Sequence, residues 1–328
     1  MQNRIRFVFL LSVFLLLFVG CQSNTAQPQY VFKASMLVNE NHTWYKSFAY
    51  FGTLLEERSK GQIKLEIYPS EQLAKEIEAI RLIQAGVIDM TISAATLANW
   101  EEILAFSDMP FLLKDAAAIK KLIESPIGEE IEQVMIERMG LRPVGYFQRG
   151  ERHLTSNRPI KHPDDLKGLI IRVPNAPSYV TAWQAMGAKP TPMAFSEVFT
   201  ALQQGTIEAQ ENPFAMIKNA GFSEVQKYVN LTAHLMSWGY PIVGEAKFQK
   251  MPPHLQEIFL QAAKEMQAYE HHLFLANEAK VQEDLQKEGM TFVNVDQQAF
   301  IEKSEKAIYE SLSPEMKKVY QSIKALTK

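Results

Sequence analysis

Arg172 is the side chain whose type and position in this sequence suit chemistry with an anion. It lies near the end of the apolar run Leu169–Val173, which has the length and composition of a buried strand. A planar guanidinium at a strand end can hold a carboxylate through two parallel, charge-assisted hydrogen bonds. Pro174 cannot extend the hydrogen-bond ladder, so we expect the chain to turn away there. Judged without its neighbours, such an arginine could also form a surface ion pair.

Motifs of nucleotide binding and of nucleophilic catalysis are absent from the sequence. There is no Gly-x-x-x-x-Gly-Lys or Gly-x-Gly-x-x-Gly loop, and no Gly-x-Ser-x-Gly elbow. His271 and His272 are adjacent on a predicted helix and point about 100° apart, so they cannot chelate a metal as an i, i+4 pair would. We therefore expect a binding protein that is not an enzyme and that needs no cofactor and no metal.

The N-terminus predicts export. Two arginines precede the apolar run Phe7–Val19, which is shorter than the ~20 residues that span a bilayer. We interpret residues 1–20 as a signal peptide. Cys21, the only cysteine, follows directly and resembles the lipidated cysteine of bacterial lipoproteins, with 21–29 as a flexible tether. The alternative is a signal peptide that happens to precede a cysteine.

Alternating strand and helix patterns follow the tether. The spacing of apolar residues predicts a helix over Tyr45–Ser59, a strand over Gln62–Pro69, a helix over Leu73–Gly86 and a strand over Asp89–Ser93. This β-α-β series predicts a mainly parallel sheet with helices on both faces. In such sheets ligands bind outside the carboxyl ends of the strands.

A second α/β series begins near Tyr146 and implies a second lobe. The strand Leu169–Val173 precedes predicted helices over Tyr179–Met186 and Ser196–Gln204, each followed by glycine. Further on, Pro253–Gly289 keeps an apolar stripe without an internal glycine or proline. At ~1.5 Å per residue such a helix reaches ~50 Å, which is long enough to run across both lobes.

The charge pattern excludes one class of partner. The formal net charge is -3, and the lysines and arginines are scattered along the chain. No basic stripe of the kind that binds a phosphate backbone is present, so we expect no nucleic-acid partner. The partners must therefore be inferred from local motifs.

Two segments carry a specific resemblance to a known family: Leu166–Pro177 (LKGLIIRVPNAP) and Pro190–Phe214 (PTPMAFSEVFTALQQGTIEAQENPF). Further matches at Gly61–Lys64, Met109–Phe111 and Phe222–Tyr228 occur in the same order and at compatible spacing. Over nearly the whole mature chain, the sequence resembles the extracytoplasmic solute-binding proteins of TRAP transporters, the DctP family. The resemblance implies an α/β, two-lobed periplasmic-binding-protein-like fold with a long helix spanning both lobes.

The resemblance also implies how the chain is divided and where the protein works. Lobe I would comprise 30–149 and 238–277, and lobe II 150–237 and 278–328. The protein would be exported and either lipid-anchored to the outer face of the cytoplasmic membrane or periplasmic. Its partners would be a small organic-acid ligand and the small and large membrane subunits of a TRAP transporter.

Ligand-binding roles follow from the resemblance residue by residue. Arg172 matches the arginine that pairs with the ligand carboxylate, and Arg152 matches a second ligand-facing arginine. Asn212 matches an asparagine that hydrogen-bonds the carboxylate or its neighbour. Phe195 would form an apolar wall under the ligand, although the same residue suits an ordinary core equally well.

Five further side chains have two possible roles. Glu211 and His234 are candidates either for the pocket itself or for the layer of residues behind it. Tyr45, Trp238 and Tyr240 could stack on a sugar ring, because aromatic faces suit C–H surfaces; packing in the core is the alternative. Only the direction of each side chain in the folded chain can decide between these roles.

The expected ligand depends on two short stretches. Where sialic-acid-binding members carry a pocket glutamate, this chain has Ala94, which disfavours sialic acid. Gln210–Phe214 reads QENPF in place of the QENTW of C4-dicarboxylate binders, so we expect a sugar acid, a uronate or an aldonate. A C4-dicarboxylate receptor is the alternative. A receptor that feeds a sensor kinase, or a lipoprotein enzyme acting on sugar acids, would be an alternative of another class.

Overall fold

The computed structural model describes residues 27–327, which form a two-lobed α/β fold around one mixed sheet. The predicted signal peptide over 1–20 and the predicted lipidation site Cys21 lie outside these residues, as does the predicted tether as far as residue 26. Within 27–327, no helix combines the length and the hydrophobicity needed to cross a bilayer.

The sheet has ten strands within the described residues. They are β1 (Tyr30–Ser35), β2 (Ile63–Tyr68), β3 (Met90–Ser93), β4 (Leu141–Pro143), β5 (Phe147–Ser156), β6 (Ile170–Val173), β7 (Lys189–Pro192), β8 (Ala209–Pro213), β9 (Tyr228–Gly244) and β10 (Thr291–Val293). Their order is β2-β1-β3-β9-β5-β8-β6-β7, and β4 and β10 also pair with β9.

Helices cover the sheet and connect its strands. They are α1 (Thr43–Arg58), α2 (Glu76–Gln84), α3 (Ala116–Ile123), α4 (Pro126–Glu137), α5 (Pro177–Ala185), α6 (Val198–Gln203), α7 (Phe214–Asn219), α8 (Glu245–Gln249), α9 (Pro253–Lys287), α10 (Gln297–Ser311) and α11 (Pro314–Leu326). Short 3-10 helices lie at Ala95–Asn99, Glu102–Asp108, Pro163–Leu166, Phe195–Glu197 and Phe222–Glu224.

Two groups of parallel strands flank a pair of long antiparallel strands. β1 pairs in parallel with β2 and β3, and β6 pairs in parallel with β7 and β8. We call the part built on the first group the first lobe and the part built on the second group the second lobe. β9 runs through both, because its start pairs with β5 and β10 and its end pairs with β3 and β4.

The prediction of a mainly parallel sheet is wrong for the centre of the sheet, where β5 and β9 are antiparallel. β5 has no counterpart among the strands predicted from the sequence, although it is ten residues long. β9 lacks a clear apolar alternation because several of its fully buried side chains are polar, among them Asn230, Thr232 and His234. The spacing of apolar residues therefore predicts β2, β3 and β6 and misses β5 and β9, which connect the two lobes.

The predicted helices and strands of both α/β series are confirmed, with ends that differ by no more than three residues. The start of α1 illustrates the local cause: His42 accepts a hydrogen bond from the backbone N–H of Trp44 at 3.2 Å. From there α1 buries Phe48, Phe51 and Leu55 in the core of the first lobe.

The predicted long helix is confirmed as α9, which has 35 residues. Near its start, Phe259 packs against Phe32 and Phe51 of the first lobe, with ring centroids 5.2 and 5.0 Å apart. Near its end, Val281 and Leu285 join the core of the second lobe. The helix therefore spans both lobes, as its uninterrupted apolar stripe indicates.

The predicted lobe boundaries, 30–149 with 238–277 and 150–237 with 278–328, stay a prediction. α11 contacts α3 and the 3-10 helix Glu102–Asp108 of the first lobe, although the prediction assigns α11 to lobe II. α10, by contrast, contacts α5 and β9. The last helix therefore lies against the first lobe.

Candidate ligand-binding site

A cleft with about 440 Å³ of empty space lies between the lobes. Ser93 lines it from the end of β3 and Pro174 from just beyond β6, so the carboxyl ends of parallel strands face the cleft. Its charged and hydrogen-bonding side chains include Glu76, Asp108, Arg149, Arg152, Arg172, Tyr179 and Asn212.

Arg172 lies on β6 and lines the cleft, although its side chain is almost completely buried. Its Nε and Nη2 atoms donate to the carbonyl oxygen of Met193 at 2.9 and 2.6 Å, which fixes the guanidinium plane. Among residues 27–327, no carboxylate lies within 4.0 Å to form an ion pair with it. Burial lowers the pKa of Arg172 to about 10, so the group is still protonated at pH 7. The cleft thus holds a positive charge that an anion can neutralise.

Phe195 lies between the cleft and the core of the second lobe. Its ring lines the cleft, and the guanidinium carbon of Arg172 lies 5.9 Å from the ring centroid. Its edge also packs against Phe222 in the second lobe, with centroids 5.9 Å apart. The residue is therefore a wall of the cleft that is anchored in the core.

Arg152 lies on β5 and lines the cleft, with its charge paired inside the second lobe. Its Nε and Nη2 donate to the two carboxylate oxygens of Glu211 at 2.6 and 2.7 Å, and Nη2 also donates to the backbone carbonyl of Glu211 at 2.8 Å. Burial disfavours both charges, but their attraction outweighs it. The pKa of Glu211 falls to about 2, and the pKa of Arg152 rises above its ordinary value.

His234 supports this ion pair from behind. Its Nε2 lies 2.9 Å from Glu211 Oε2, and its Nδ1 lies 2.9 Å from Thr232 Oγ1. Burial lowers the pKa of His234, so the ring is neutral at pH 7. A carboxylate only accepts hydrogen bonds, so Nε2 donates to Glu211 and Nδ1 accepts from Thr232. Neither Glu211 nor His234 is among the described residues that line the cleft, so both lie behind Arg152 in this structure.

Asn212 follows Glu211 on β8 and lines the cleft. Its Nδ2 donates to Gln210 Oε1 at 2.6 Å, and Gln210 Nε2 donates to Thr155 Oγ1 at 2.9 Å. This buried chain of hydrogen bonds orients the amide. An amide nitrogen carries two hydrogens, so a second one is left for a ligand acceptor.

The aromatic side chains predicted to stack on a sugar ring lie elsewhere. Tyr45 packs half-buried against the core of the first lobe, and Trp238 and Tyr240 pack against each other with centroids 5.7 Å apart. None of the three is among the described residues that line the cleft. Trp44 lines it instead, because neighbouring residues of a helix point about 100° apart and α1 turns Tyr45 away.

Sequence reasoning missed a hydrogen-bonded group that joins the lobes across the cleft. Tyr179 of α5 donates its hydroxyl to Asp108 Oδ1 at 2.8 Å. Arg149 Nη1 donates to Asp108 Oδ2 at 3.3 Å, and the backbone N–H of Ala95 donates to the same oxygen at 3.1 Å. The one available signal is an acidic residue inside the apolar stretch Ile103–Phe111.

Glu76 is a second carboxylate of the first lobe that sequence reasoning missed. It is the first residue of α2, lines the cleft and accepts hydrogen bonds from Ser93 Oγ and Thr96 Oγ1 at 2.7 and 2.5 Å. The cleft therefore has Arg152 and Arg172 in its second-lobe wall, and Glu76 and Asp108 in its first-lobe wall, where Arg149 pairs with Asp108.

Within residues 27–327, no three His, Cys, Asp or Glu side chains are grouped so that they could hold a metal ion. His271 Nε2 donates to the backbone carbonyl of Tyr146 at 3.1 Å, so this ring serves the packing of α9.

A cleft between two α/β lobes, with a buried unpaired arginine in one wall, defines a solute-binding protein.

Comparison with known families agrees with this class. Residues 34–315 match the model of the family described as bacterial extracellular solute-binding protein, family 7, or DctP. The chain belongs to this family, whose members are extracytoplasmic receptors. The family membership and the fold class predicted from the sequence are thereby confirmed.

Individual relatives match over most of their length. A solute-binding protein of Roseobacter denitrificans is 42% identical over 291 residues, which cover 89% of this chain and 90% of the relative. The 2,3-diketo-L-gulonate-binding periplasmic protein YiaO of Escherichia coli is 34% identical over 253 residues, 76% of this chain and 77% of YiaO. The crystal structure of a TRAP periplasmic solute-binding protein from R. denitrificans with bound L-galactonate has a TM-score of 0.89 at 41% identity, covering 91% of this chain and 99% of that chain.

Proposed function

We propose that this protein captures a sugar acid, an aldonate or a uronate, outside the cytoplasm and passes it to the membrane subunits of a TRAP transporter. One observation carries the proposal: the guanidinium of Arg172 is buried in the wall of the cleft, and no protein carboxylate within 27–327 lies within 4.0 Å of it. A ligand carboxylate supplies the missing counter-charge through charge-assisted hydrogen bonds of about 1.5–3 kcal/mol each.

The carboxylate contact alone does not give a receptor its affinity. Micromolar binding corresponds to about 8 kcal/mol, so other ligand groups must contribute. The cleft offers the amide of Asn212 as a donor and the carboxylates of Glu76 and Asp108 as acceptors. Hydroxyl groups can serve both kinds of partner. A polyhydroxylated monocarboxylate therefore fits the two walls of the cleft.

The names of relatives support the same ligand class. Both the L-galactonate bound to the R. denitrificans protein and the 2,3-diketo-L-gulonate in the name of YiaO are sugar acids. A C4-dicarboxylate is the weaker candidate, because its second carboxylate would approach the acidic first-lobe wall.

Binding is coupled to closure of the two lobes in this proposal. Tyr179 and Asp108 hydrogen-bond across the cleft, and at its rim Lys75 and Glu197 form an ion pair of 2.5 Å between the lobes. A ligand that contacts both walls stabilises the closed state more than the open one and so shifts the population towards closure.

Lipidation at Cys21 and delivery to TRAP membrane subunits belong to the same proposal, as does the absence of catalysis. Membership of a family of extracytoplasmic receptors supports delivery and the absence of catalysis. The position of Cys21 directly after the predicted signal peptide supports lipidation.

The proposal is tested by thermal unfolding of the purified protein with a panel of carboxylates. The panel contains L-galactonate, L-gulonate, D-glucuronate, D-galacturonate, succinate, L-malate and sialic acid. We expect the melting temperature to rise with one or more sugar acids and to stay unchanged with the C4-dicarboxylates and sialic acid, because only ligands that bind the folded state stabilise it. No response to any sugar acid, or a response confined to dicarboxylates, would overturn the ligand assignment.

Anchoring and delivery have separate tests. Metabolic labelling with an alkyne fatty acid should label the wild-type chain and leave Cys21→Ser unlabelled; equal labelling of both excludes Cys21 as the lipid site. Reconstitution with the TRAP membrane subunits should give uptake of the bound sugar acid only when this protein is present. A complex with a sensor kinase and no uptake would favour the sensory alternative.

A further inference from the structure

We propose that Glu71 of the first lobe controls ligand affinity from outside the cleft, by holding the 3-10 helix Phe195–Glu197 of the second lobe in the closed state. Glu71 is not among the described residues that line the cleft, so it acts on the protein and not on the ligand. This role rests on the proposed function and adds a positioning residue to it. One consequence is that ligand binding becomes linked to the uptake of a proton.

The turn after β2 directs Glu71 towards the second lobe. Ser70 and Glu71 have φ values of +53° and +56°, in the left-handed region that residues with a side chain rarely adopt. Their backbone N–H groups donate to the carbonyl oxygens of Val38 and Met36 at 3.0 and 2.8 Å. The turn is thereby fixed to the chain that follows β1. Its unfavourable backbone conformation is kept at the point where Glu71 reaches the opposite lobe.

Glu71 accepts a hydrogen bond across the rim of the cleft. The backbone N–H of Ser196 donates to Glu71 Oε2 at 3.2 Å. Ser196 belongs to the 3-10 helix Phe195–Glu197, and the first N–H groups of a helix have no acceptor within it. The ring of Phe195 lines the cleft, so this bond fixes the backbone beside one wall of the ligand site. Opening of the lobes would separate the two groups.

The other oxygen of Glu71 makes the contact sensitive to protonation. Glu71 Oε1 is buried and has no hydrogen-bond partner among the described residues. An ionised carboxylate is unfavourable in such a place, so the closed state favours a proton on Glu71. The ion pair between Lys75 and Glu197 also joins the lobes here, but both side chains are about half exposed and the pair should contribute little to closure.

The charges around Glu71 act in the same direction once a ligand is bound. Burial is the main cause that raises the pKa of Glu71 above the ordinary 4.5; Glu76 of α2 adds to the rise, and the hydrogen bonds from the second lobe oppose it. The other charged groups that face Glu71 are Lys75, which is paired with Glu197, and Arg172 of β6. A ligand carboxylate neutralises Arg172 and so weakens an attraction that favours ionised Glu71.

Ligand binding should therefore take up a proton at Glu71. In the open state its carboxyl group is in contact with water and titrates near the ordinary value, whereas closure raises the pKa. Between these two values the closed state binds more protons than the open state. Affinity should therefore be constant above the raised pKa, rise as the pH falls towards 4.5, and level off below 4.5, where both states are protonated.

Two variants separate the contact from the charge. Glu71→Ala removes the acceptor of the Ser196 N–H, whereas Glu71→Gln keeps an acceptor and removes the charge. The probe is whichever of L-galactonate, L-gulonate, D-glucuronate and D-galacturonate raises the melting temperature most. At pH 8, calorimetry should show about 3–10-fold weaker binding to Glu71→Ala and at least wild-type affinity in Glu71→Gln. Stopped-flow tryptophan fluorescence should assign the loss in Glu71→Ala to faster dissociation.

Proton uptake is measured by calorimetry at pH 5.5 in buffers of different ionisation enthalpy. The wild type should take up a fraction of a proton on binding, and Glu71→Gln should take up less. Glu78→Gln is the matched control, because Glu78 is exposed on α2 outside the cleft; it should keep the wild-type affinity and proton uptake. Unfolding curves of the ligand-free variants show whether each one folds, and if Glu71→Ala does not, the proton uptake of Glu71→Gln decides.

The role of Glu71 and the proposed function fail in different ways. If the wild type binds a sugar acid and Glu71→Ala keeps the wild-type affinity, the role of Glu71 is wrong and the proposed function stands. The same holds if Glu71→Gln takes up as much of a proton as the wild type, if it binds as weakly as Glu71→Ala, or if Glu78→Gln shows the same changes. If the wild type binds no sugar acid of the panel, both are wrong.

Discussion

Arg152 and Glu211 face each other in the interior of the second lobe, with two guanidinium nitrogens donating to two carboxylate oxygens at 2.6 and 2.7 Å. Glu211 is fully buried, and Arg152 reaches only the cleft. His234 donates to the same carboxylate from the other side. The cleft thus presents a guanidinium whose position is set by a carboxylate and a neutral imidazole behind it.

Glu211→Gln should destabilise the protein strongly. The variant leaves the charge of Arg152 buried without its partner, and loss of one member of a buried pair costs about 3–5 kcal/mol. The measurement is the free energy of unfolding in urea at pH 7. Glu265→Gln is the control, because Glu265 pairs with Arg58 on an exposed surface and its loss should have little effect. Equal losses in the two variants would contradict the special role of the buried pair.

The same pair predicts an acid limit to stability. The pKa of Glu211 is about 2 in the folded chain and has an ordinary value of 4.5, so the ion pair stabilises the fold above pH 4.5. This contribution should be lost as the pH falls from 4.5 to about 2, because the unfolded chain then binds the proton more tightly. Urea unfolding between pH 5 and pH 3 measures it, and a stability that rises on acidification in this window would contradict the assignment.

Arg172→Met should have opposite effects on stability and on binding. The ligand-free protein should gain about 0.5–2 kcal/mol, because a buried charge without a carboxylate partner is replaced by an apolar chain of similar length. Sugar-acid affinity should fall at least about 10-fold, since charge-assisted hydrogen bonds to the carboxylate are lost. Urea unfolding and calorimetry measure the two effects.

Arg138→Met is the matched control for Arg172→Met. Arg138 is an exposed arginine that pairs with Glu101 outside the cleft. Neither stability nor affinity should change appreciably in this variant. Retained sugar-acid affinity in Arg172→Met would remove the central argument for the carboxylate site.

Glu270 should make the protein less stable as the pH rises from 4.5 to 8. Burial raises its pKa from the ordinary 4.5 to about 8, although the backbone N–H of Gln148 donates to it at 3.2 Å. The folded chain therefore keeps this proton between pH 4.5 and 8 while the unfolded chain releases it. Stability should fall across this window, by at most about 1.4 kcal/mol per pH unit for one proton.

Glu270→Gln should flatten that pH dependence, because the neutral amide needs no proton. Urea unfolding at pH 5, 6.5 and 8 provides the measurement. Glu257→Gln, an exposed position on the same helix, should keep the wild-type slope. An unchanged slope in Glu270→Gln would show that another group causes the pH dependence.

Tyr179→Phe should favour the open state. The variant removes the hydroxyl that donates to Asp108 across the cleft. Loss of this hydrogen bond should destabilise the closed state by about 0.5–1.5 kcal/mol. Sugar-acid affinity should therefore fall about 2–10-fold, and the radius of gyration from small-angle scattering at half-saturating ligand should be larger than in the wild type. Tyr309→Phe, in α10 outside the cleft, should change neither quantity.

Much of the fold and the position of Arg172 follow from local sequence. The helices and strands of both series depend on apolar spacing within 4 to 16 residues, and their bounds agree with the structure to within three residues. Arg172 ends a short apolar strand before Pro174, so its place at a strand end is a local property as well. The long strand β9 was beyond such reasoning, because buried Asn230, Thr232 and His234 interrupt its apolar alternation.

The sequence by itself determined the family, the two α/β series, the long helix and the strand-end arginine, because each of these depends on neighbours along the chain. The tertiary structure alone decided which side chains reach the cleft. It turned Trp44 inward and Tyr45 away, since the rotation of a helix is set by the core it packs on. It also joined Tyr179 to Asp108, 71 positions away, because hydrogen bonds between distant segments form only where packing brings their ends together.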